Sequence, residues 1–247
     1  MIQAIPVHMD GDITCTDDVC CMIIESADDI REGDVIVVAQ KIVSKSEGRL
    51  VRLSDVRPSS LAVGIAGEYD KDARVVELVL REARRIVRMK NGIIITQRHD
   101  GHISANSGVD VSNVPPDCAL LLPENSDESA HRIRYTIRDR LQINVGVIIS
   151  DTLGRPFRVG QTDMCIGCSG VAPLLDYTGK TDVYDRVLRV SVTAMADQLA
   201  GAAELVMGKT RRTPVAILRG THDYYNMMGE GTARDLIRHT NDLFGQV

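Results

Sequence analysis

Two uninterrupted apolar runs constrain this chain more than any other feature: Val35-Ile-Val-Val-Ala39 and Val145-Gly-Val-Ile-Ile149. Both have strand length, and a run with no polar position has no side to turn toward water, so the second reads as a buried strand. Arg31-Glu32-Gly33-Asp34 supplies the turn before the first run. Around these strands the pattern alternates. Thr16, with Asp17 and Asp18 behind it, reads as the cap of a short helix toward Ala27. Asp72 can cap a long helix whose apolar face runs Val76, Val79, Leu80, Ala83, Ile86 and Val87. Ile93 to Thr96 reads as a strand, His99-Asp100-Gly101-His102 as a tight turn, and Ile103 onward as the returning strand.

A second unit begins near Ser126, which caps an Arg-rich helix to about Leu141. Residues 187 to 193 alternate as a half-exposed strand, Ala194 to Met207 forms an Ala-rich helix, Pro214 to Leu218 a strand, and Thr232 to Leu243 a closing helix. Strands interleaved with helices, some joined as hairpins, point to a mixed α/β (α+β) fold rather than a clean doubly wound sheet. With 247 residues, one large or two small domains are expected. The expected division is 1–125, an N-terminal α/β part with nucleotide and metal loops, and 126–247, a C-terminal α/β part carrying Asp151-Thr152.

Composition narrows the function. Trp 0, Phe 2 and Tyr 6 leave the interior to Val, Ile, Leu, Ala and Met, and provide few platforms for stacking nucleic-acid bases. A net charge of −5 also disfavours nucleic acid as a partner. Among the basic residues, however, six are Lys and 23 are Arg, a bias toward the planar fork that grips phosphates and carboxylates. No apolar run reaches the roughly 18 residues of a membrane helix, and Met1-Ile2-Gln3 leads into a strand rather than a signal peptide, so a cytoplasmic protein is expected. The six cysteines, including Cys165-Ile-Gly-Cys168, read as small buried hydrophobes rather than as disulfides or a zinc site.

Chemistry is expected where polar residues leave apolar strands, because rigid strands aim their loops at ligands. The first such loop is Ser104-Ala-Asn-Ser-Gly108-Val-Asp110-Val-Ser-Asn113; the second continues from Ile149 as Ser150-Asp151-Thr152-Leu-Gly154-Arg155-Pro-Phe-Arg158. Asp110, Asn113, Asp151 and Thr152 are hard oxygen donors suited to Mg²⁺ or Mn²⁺, ions that usually arrive holding phosphate oxygens. Arg155 and Arg158 would then grip phosphates or a carboxylate. Ordinary turn chemistry is the alternative for either loop. Lys45 follows the first strand and is either solvent-facing or the lysine of a triphosphate site. Ala203 to Thr210 imitates a P-loop, but it lacks the first Gly and ends a helix instead of opening one. Its basic continuation, Lys209, Arg211 and Arg212, either touches an anion or is a solvated helix end. His99 and His102 read as turn residues, and His222-Asp223-Tyr224-Tyr225 as either a pocket border or a surface loop.

Taken in order, several segments resemble the coenzyme F420:L-glutamate ligase family: Gly33-Asp34-Val-Ile-Val-Val, Val43-Ser-Lys45-Ser-Glu47-Gly48-Arg49, Ser107-Gly108-Val-Asp110-Val-Ser-Asn113, Leu120-Leu-Leu-Pro123, Val145 to Arg158, and Gly179-Lys-Thr-Asp182-Val-Tyr184. The resemblance runs from about Ile5 to Gly220, and the two acidic loops together are its specific part. It implies a GTP-dependent ligase that adds L-glutamate by a γ-linked amide to coenzyme F420-0 through an acyl phosphate, releasing GDP and phosphate. It also implies an intertwined homodimer, two divalent sites filled by Mn²⁺ or Mg²⁺, and K⁺ as an assisting ion. On the matching positions, Asp110 and Asp151 would hold one metal and Thr152 would contribute to a second. Lys45 and Asn113 would contact GTP, and Met207-Gly208 would open a further nucleotide-binding segment. Arg155 and Arg158 would stabilise charge during transfer. A non-catalytic GTP- and metal-binding relative and a metal-dependent phosphohydrolase are the alternatives.

Overall fold

The two apolar runs lie side by side. In the computed structural model, which describes residues 1–221, 229 and 231–238, Val35 to Ala39 pairs in parallel with Gly146 to Ser150. The first half of the chain supplies β1 (Gln3–Val7), α1 (Val19–Ser26), β2 (Val35–Ala39), α2 (Gln40–Ser46), β3 (Leu50–Arg52), α3 (Ser60–Tyr69), α4 (Ala73–Glu82), β4 (Ala83–Lys90), β5 (Ile93–Arg98), β6 (Ile103–Ala105) and β7 (Cys118–Leu120). The second supplies α5 (Ser126–Leu141), β8 (Gly146–Gly154), β9 (Gln161–Ser169), β10 (Leu174–Asp176), β11 (Val192–Ala194), α6 (Met195–Met207) and β12 (Val215–Arg219).

The central sheet has the order β1-β12-β2-β8-β9, parallel only between β2 and β8. Its strands come from both sides of residue 125, in the mixed α/β arrangement expected from the sequence. Successive side chains of a strand face opposite ways. Ile36, Val38, Val147 and Ile149 therefore enter one core with Ile23, Ile133 and Ile137 of α1 and α5. Val35, Val37 and Ile148 enter another with Leu199, Ala200 and Ala203 of α6. Both faces are covered, which is why these runs have no polar position; each buried Val or Ile contributes about 1.5–3 kcal/mol. Cys165 and Cys168 are free thiols packed into the α6-side core.

A third apolar cluster is built apart from the sheet by Ile65, Val76, Val79, Ile94, Ala119 and Leu121. Here the helix expected to continue through Val87 ends at Glu82, and residues 83–90 turn into β4. Asn91 and Gly92, with φ of 52° and 75°, make the two-residue turn that folds β4 onto β5, pairing Lys90 with Ile93. That geometry favours Asn-Gly, and β-branched Ile86 and Val87 suit a strand, so the hairpin overrides the helical spacing.

Other boundaries differ in smaller ways. Asp18, not Thr16, caps α1, accepting from the backbone N–H of Cys20 and Cys21. Asn125 rather than Ser126 caps α5. The strand expected over 187–193 is reduced to Val192–Ala194, paired with β10. The helix expected from Thr232 is a 3-10 turn over Ala233–Leu236; its continuation from 239 and His222 to Tyr225 fall outside the described residues.

Candidate functional site

The site forms where β2 and β8 end together. Ala39 pairs with Ser150, so the residues that follow, Gln40 at the start of α2 and Asp151 on β8, lie side by side. The antiparallel register of β8 and β9 places Thr152 opposite Asp163. Asp163 is 5% exposed and its carboxylate accepts from Ser150 Oγ at 3.1 Å and from Thr152 Oγ1 at 2.6 Å. Glu204, near the end of α6, accepts the Asp163 backbone N–H at 2.9 Å.

Asp110 reaches the same region from the third cluster. Its strand-like bridge to Leu120 holds the loop, and Lys41 Nζ lies 2.7 Å from its Oδ2. Lys41 also donates to the Ser112 carbonyl at 2.9 Å and to Ser112 Oγ at 2.7 Å, while the Ser112 N–H caps Asp110 Oδ1 at 2.7 Å. At the far edge Lys209 donates to Asp163 Oδ1 at 2.9 Å, faces Glu204 Oε1 at 3.2 Å, and bonds to Thr152 Oγ1.

Electrostatics separate the two aspartates read from the sequence. Burial opposes the charge on Asp110, but Lys41 and the Ser112 hydrogen bonds outweigh it and hold the carboxyl below its usual range. Asp151 is pushed up to about 6, first by burial and then by the negative charges of Asp163 and Asp110, against the hydrogen bonds from Thr152 N–H and Gln40. A buried carboxylate beside like charges is stabilised by a cation. The donors are carboxylates, a hydroxyl and an amide, which fit a hard divalent ion. Among the described residues, no three His, Cys, Asp or Glu side chains form a metal-ligating group.

The comparisons decide the family. The family model described as F420-0:Gamma-glutamyl ligase matches residues 11–220. The coenzyme F420:L-glutamate ligase of Methanopyrus kandleri is 44% identical over 242 residues, covering 97% of this chain and 96% of its own. The ligases of the same name from Methanothermobacter thermautotrophicus and Methanocaldococcus jannaschii are 38% and 42% identical, covering 90% and 85% of this chain and 90% and 83% of their own. The chain belongs to the F420-0:gamma-glutamyl ligase family.

In this ligase the remaining residues singled out from the sequence lie on the helices and loops that also carry the cluster. Lys45 is half-buried in the last turn of α2, four residues beyond Lys41 and therefore on the same helix face. Asn113 is exposed, in a left-handed conformation (φ 55°), three residues past Asp110. Met207 is buried as the last residue of α6, and Gly208, at φ 62°, turns the chain so that Lys209 follows. Arg155 and Arg158 lie past Thr152, on the loop joining β8 to β9. Arg155 Nη2 donates to Val159 O at 3.4 Å within that loop, and its Nε is buried without a hydrogen-bond partner among the described residues.

Asp163 and Glu204 carry no signal in the sequence: one lies inside a strand and the other near a helix end, and only strand register and helix packing bring them together. A cavity of about 610 Å³ between α1, α2 and α5, lined by Asp17, Glu47, Arg49 and Arg132, shares no residue with the cluster. No helix among the described residues is long and apolar enough to cross a membrane.

Proposed function

We propose that the chain joins L-glutamate to coenzyme F420-0 by an amide bond, using GTP and passing through an acyl phosphate. The names of its relatives supply the substrates, and the observation that carries the mechanism is the Asp151 cluster: a half-buried carboxylate at the end of a rigid strand, beside Asp110, with lysines close by. A carboxylate does not condense with an amine at neutral pH until its oxygen becomes a leaving group. An F420-0 carboxylate oxygen therefore attacks the γ-phosphorus, its bond to GDP breaks, and the glutamate amine then displaces phosphate from the acyl carbon as its proton is lost. No protein nucleophile is required, and positioning of two anions is the main task.

Asp110 and Asp151 would hold Mn²⁺ or Mg²⁺, with Thr152 beside them; the ion supplies charge neutralisation to the phosphoryl oxygens. K⁺ is a further candidate ion. Lys41 holds Asp110 in place, Gln40 orients Asp151, and Lys45 and Asn113, on the adjoining helix and loop, would meet the nucleotide together with the Met207-Gly208 turn. Arg155 and Arg158 extend from the β8–β9 loop as bidentate donors for phosphate. The almost wholly exposed Phe157, Val159, Val183 and Val190 support a homodimer that would cover them.

The test is a mass measurement on purified chain with GTP, Mn²⁺ or Mg²⁺, glutamate and F420-0. The expected product is heavier by one or more glutamyl residues, with one GDP per bond. Phosphate release without glutamate would instead favour a phosphohydrolase, and GTP binding without turnover a non-catalytic relative.

A further inference from the structure

Lys209 is the feature that the ligase reading leaves unused. It follows Gly208, whose positive φ folds the chain back over the β8 and β9 ends. Its ammonium meets three oxygens from three elements: Thr152 Oγ1 on β8, Asp163 Oδ1 on β9 at 2.9 Å, and Glu204 Oε1 on α6 at 3.2 Å. An ammonium has three N–H donors, and this arrangement gives each an acceptor. The acceptors are prepared for a cation. Asp163 is nearly fully buried and held by Ser150 and Thr152, while Glu204 is fixed by the Asp163 backbone N–H. Two carboxylates and a hydroxyl on rigid elements form the donor set that a hard metal ion uses.

The lysines also divide the cluster. Lys41 is bonded to Asp110, and Lys209 to Asp163 with Glu204. Neither of these ammonium groups is bonded to Asp151. Of the four carboxylates, Asp151 is thus the one with neither lysine as its counter-charge, which leaves it the place for one divalent ion.

We infer that Lys209 is a tethered cation that takes the place of a second metal ion among Thr152, Asp163 and Glu204, so that this protein binds one divalent ion where the family resemblance implies two. The inference rests on the ligase reading for the ion at Asp151, but not for the chemistry at Lys209.

The experiment is a Mn²⁺ titration of the full chain, followed by the loss of the free-ion electron paramagnetic resonance signal, with Lys209→Gln, Lys209→Arg and Asp151→Asn variants alongside. Lys209 is half-exposed, and circular dichroism checks that each variant is folded. One equivalent is expected for the unaltered chain and Lys209→Arg, two for Lys209→Gln, and a weakened or lost ion for Asp151→Asn. Equal stoichiometry in the unaltered chain and Lys209→Gln, or two equivalents in the unaltered chain, would overturn the inference. If the unaltered chain bound none and Lys209→Gln bound one, the tethered cation would stand and the ion at Asp151 would fall. A wholly silent titration for both would sink the two ideas together.

Discussion

The Lys41 ammonium lies 2.7 Å from Asp110 and also holds Ser112 by its carbonyl and hydroxyl, so one side chain fastens the Asp110 loop to the helix that leaves the central sheet. The two acidic loops come from separate apolar clusters, and this contact ties the Asp110 loop to the helix that starts beside the Asp151 strand end.

Replacing Lys41 by Met keeps the length of the side chain and removes the charge. Partners that orient a ligand typically cost 10–100-fold when lost, so kcat/KM for glutamate ligation is expected to fall by roughly that factor. Steady-state kinetics at saturating Mn²⁺ provide the check; unchanged kcat/KM would remove Lys41 from the positioning role.

Asp151 links stability to pH in the metal-free protein. Its folded-state pKa of about 6 lies above the ordinary 3.8, so between those values the folded chain binds more protons than the unfolded one. Its contribution to stability therefore declines as pH rises through that window. Asp151→Asn should raise Tm above pH 6 relative to the unaltered chain, by about 2–4 °C for each kcal/mol relieved, and should do so less at pH 4. Melting curves in a chelator at both pH values test it, while the same variant should lose ligation activity.

Proton and metal compete for the same carboxylate. Mn²⁺ affinity is expected to climb about tenfold per pH unit below about 6 and to level off above it. Calorimetric titrations from pH 5 to 8 would show the break, and a flat profile would argue against Asp151 as a ligand.

Gly167 on β9 lies under the start of α5. A Cβ there would sit 2.3 Å from the backbone carbon and oxygen of Ser126, atoms that cannot swing aside. Gly167→Ala should therefore push the helix from the sheet and cost about 1–3 kcal/mol or more. Thermal unfolding measures this, and an unchanged Tm would mean that α5 rests less tightly than described.

Asp34 is 1% exposed and takes two hydrogen bonds from Arg219, at 2.7 and 3.0 Å, and one from the Arg31 N–H at 2.9 Å. Asp34→Ala removes the buried acceptor and leaves Arg219 only its exposed contacts to Asp29, so a loss of about 1–3 kcal/mol is expected. A fall in the denaturant midpoint without a change in slope would show it.

Much of this was readable before folding. The runs at 35–39 and 145–149 determined two buried strands because every position in them is apolar, and Asp110, Asp151 and Thr152 stood out because polar residues at strand ends point at ligands. The segment 83–90 shows why reading by period is incomplete. Its apolar spacing continues the helix, yet the Asn91-Gly92 turn and the partner strand at Ile93 to Arg98 make a hairpin, a competition that involves residues outside the window.

The sequence by itself thus determined the class of fold, the family and the candidate ligands at the strand ends, since these depend on side-chain chemistry at neighbouring positions. Only the tertiary structure decided which charges meet. The register that sets Thr152 against Asp163, the α6 packing that delivers Glu204, and the turn at Gly208 that brings Lys209 to both are properties of paired backbones and packed faces. Electrostatic energy depends on distance in space, and positions 152, 163, 204 and 209 acquire their distances only when the sheet closes.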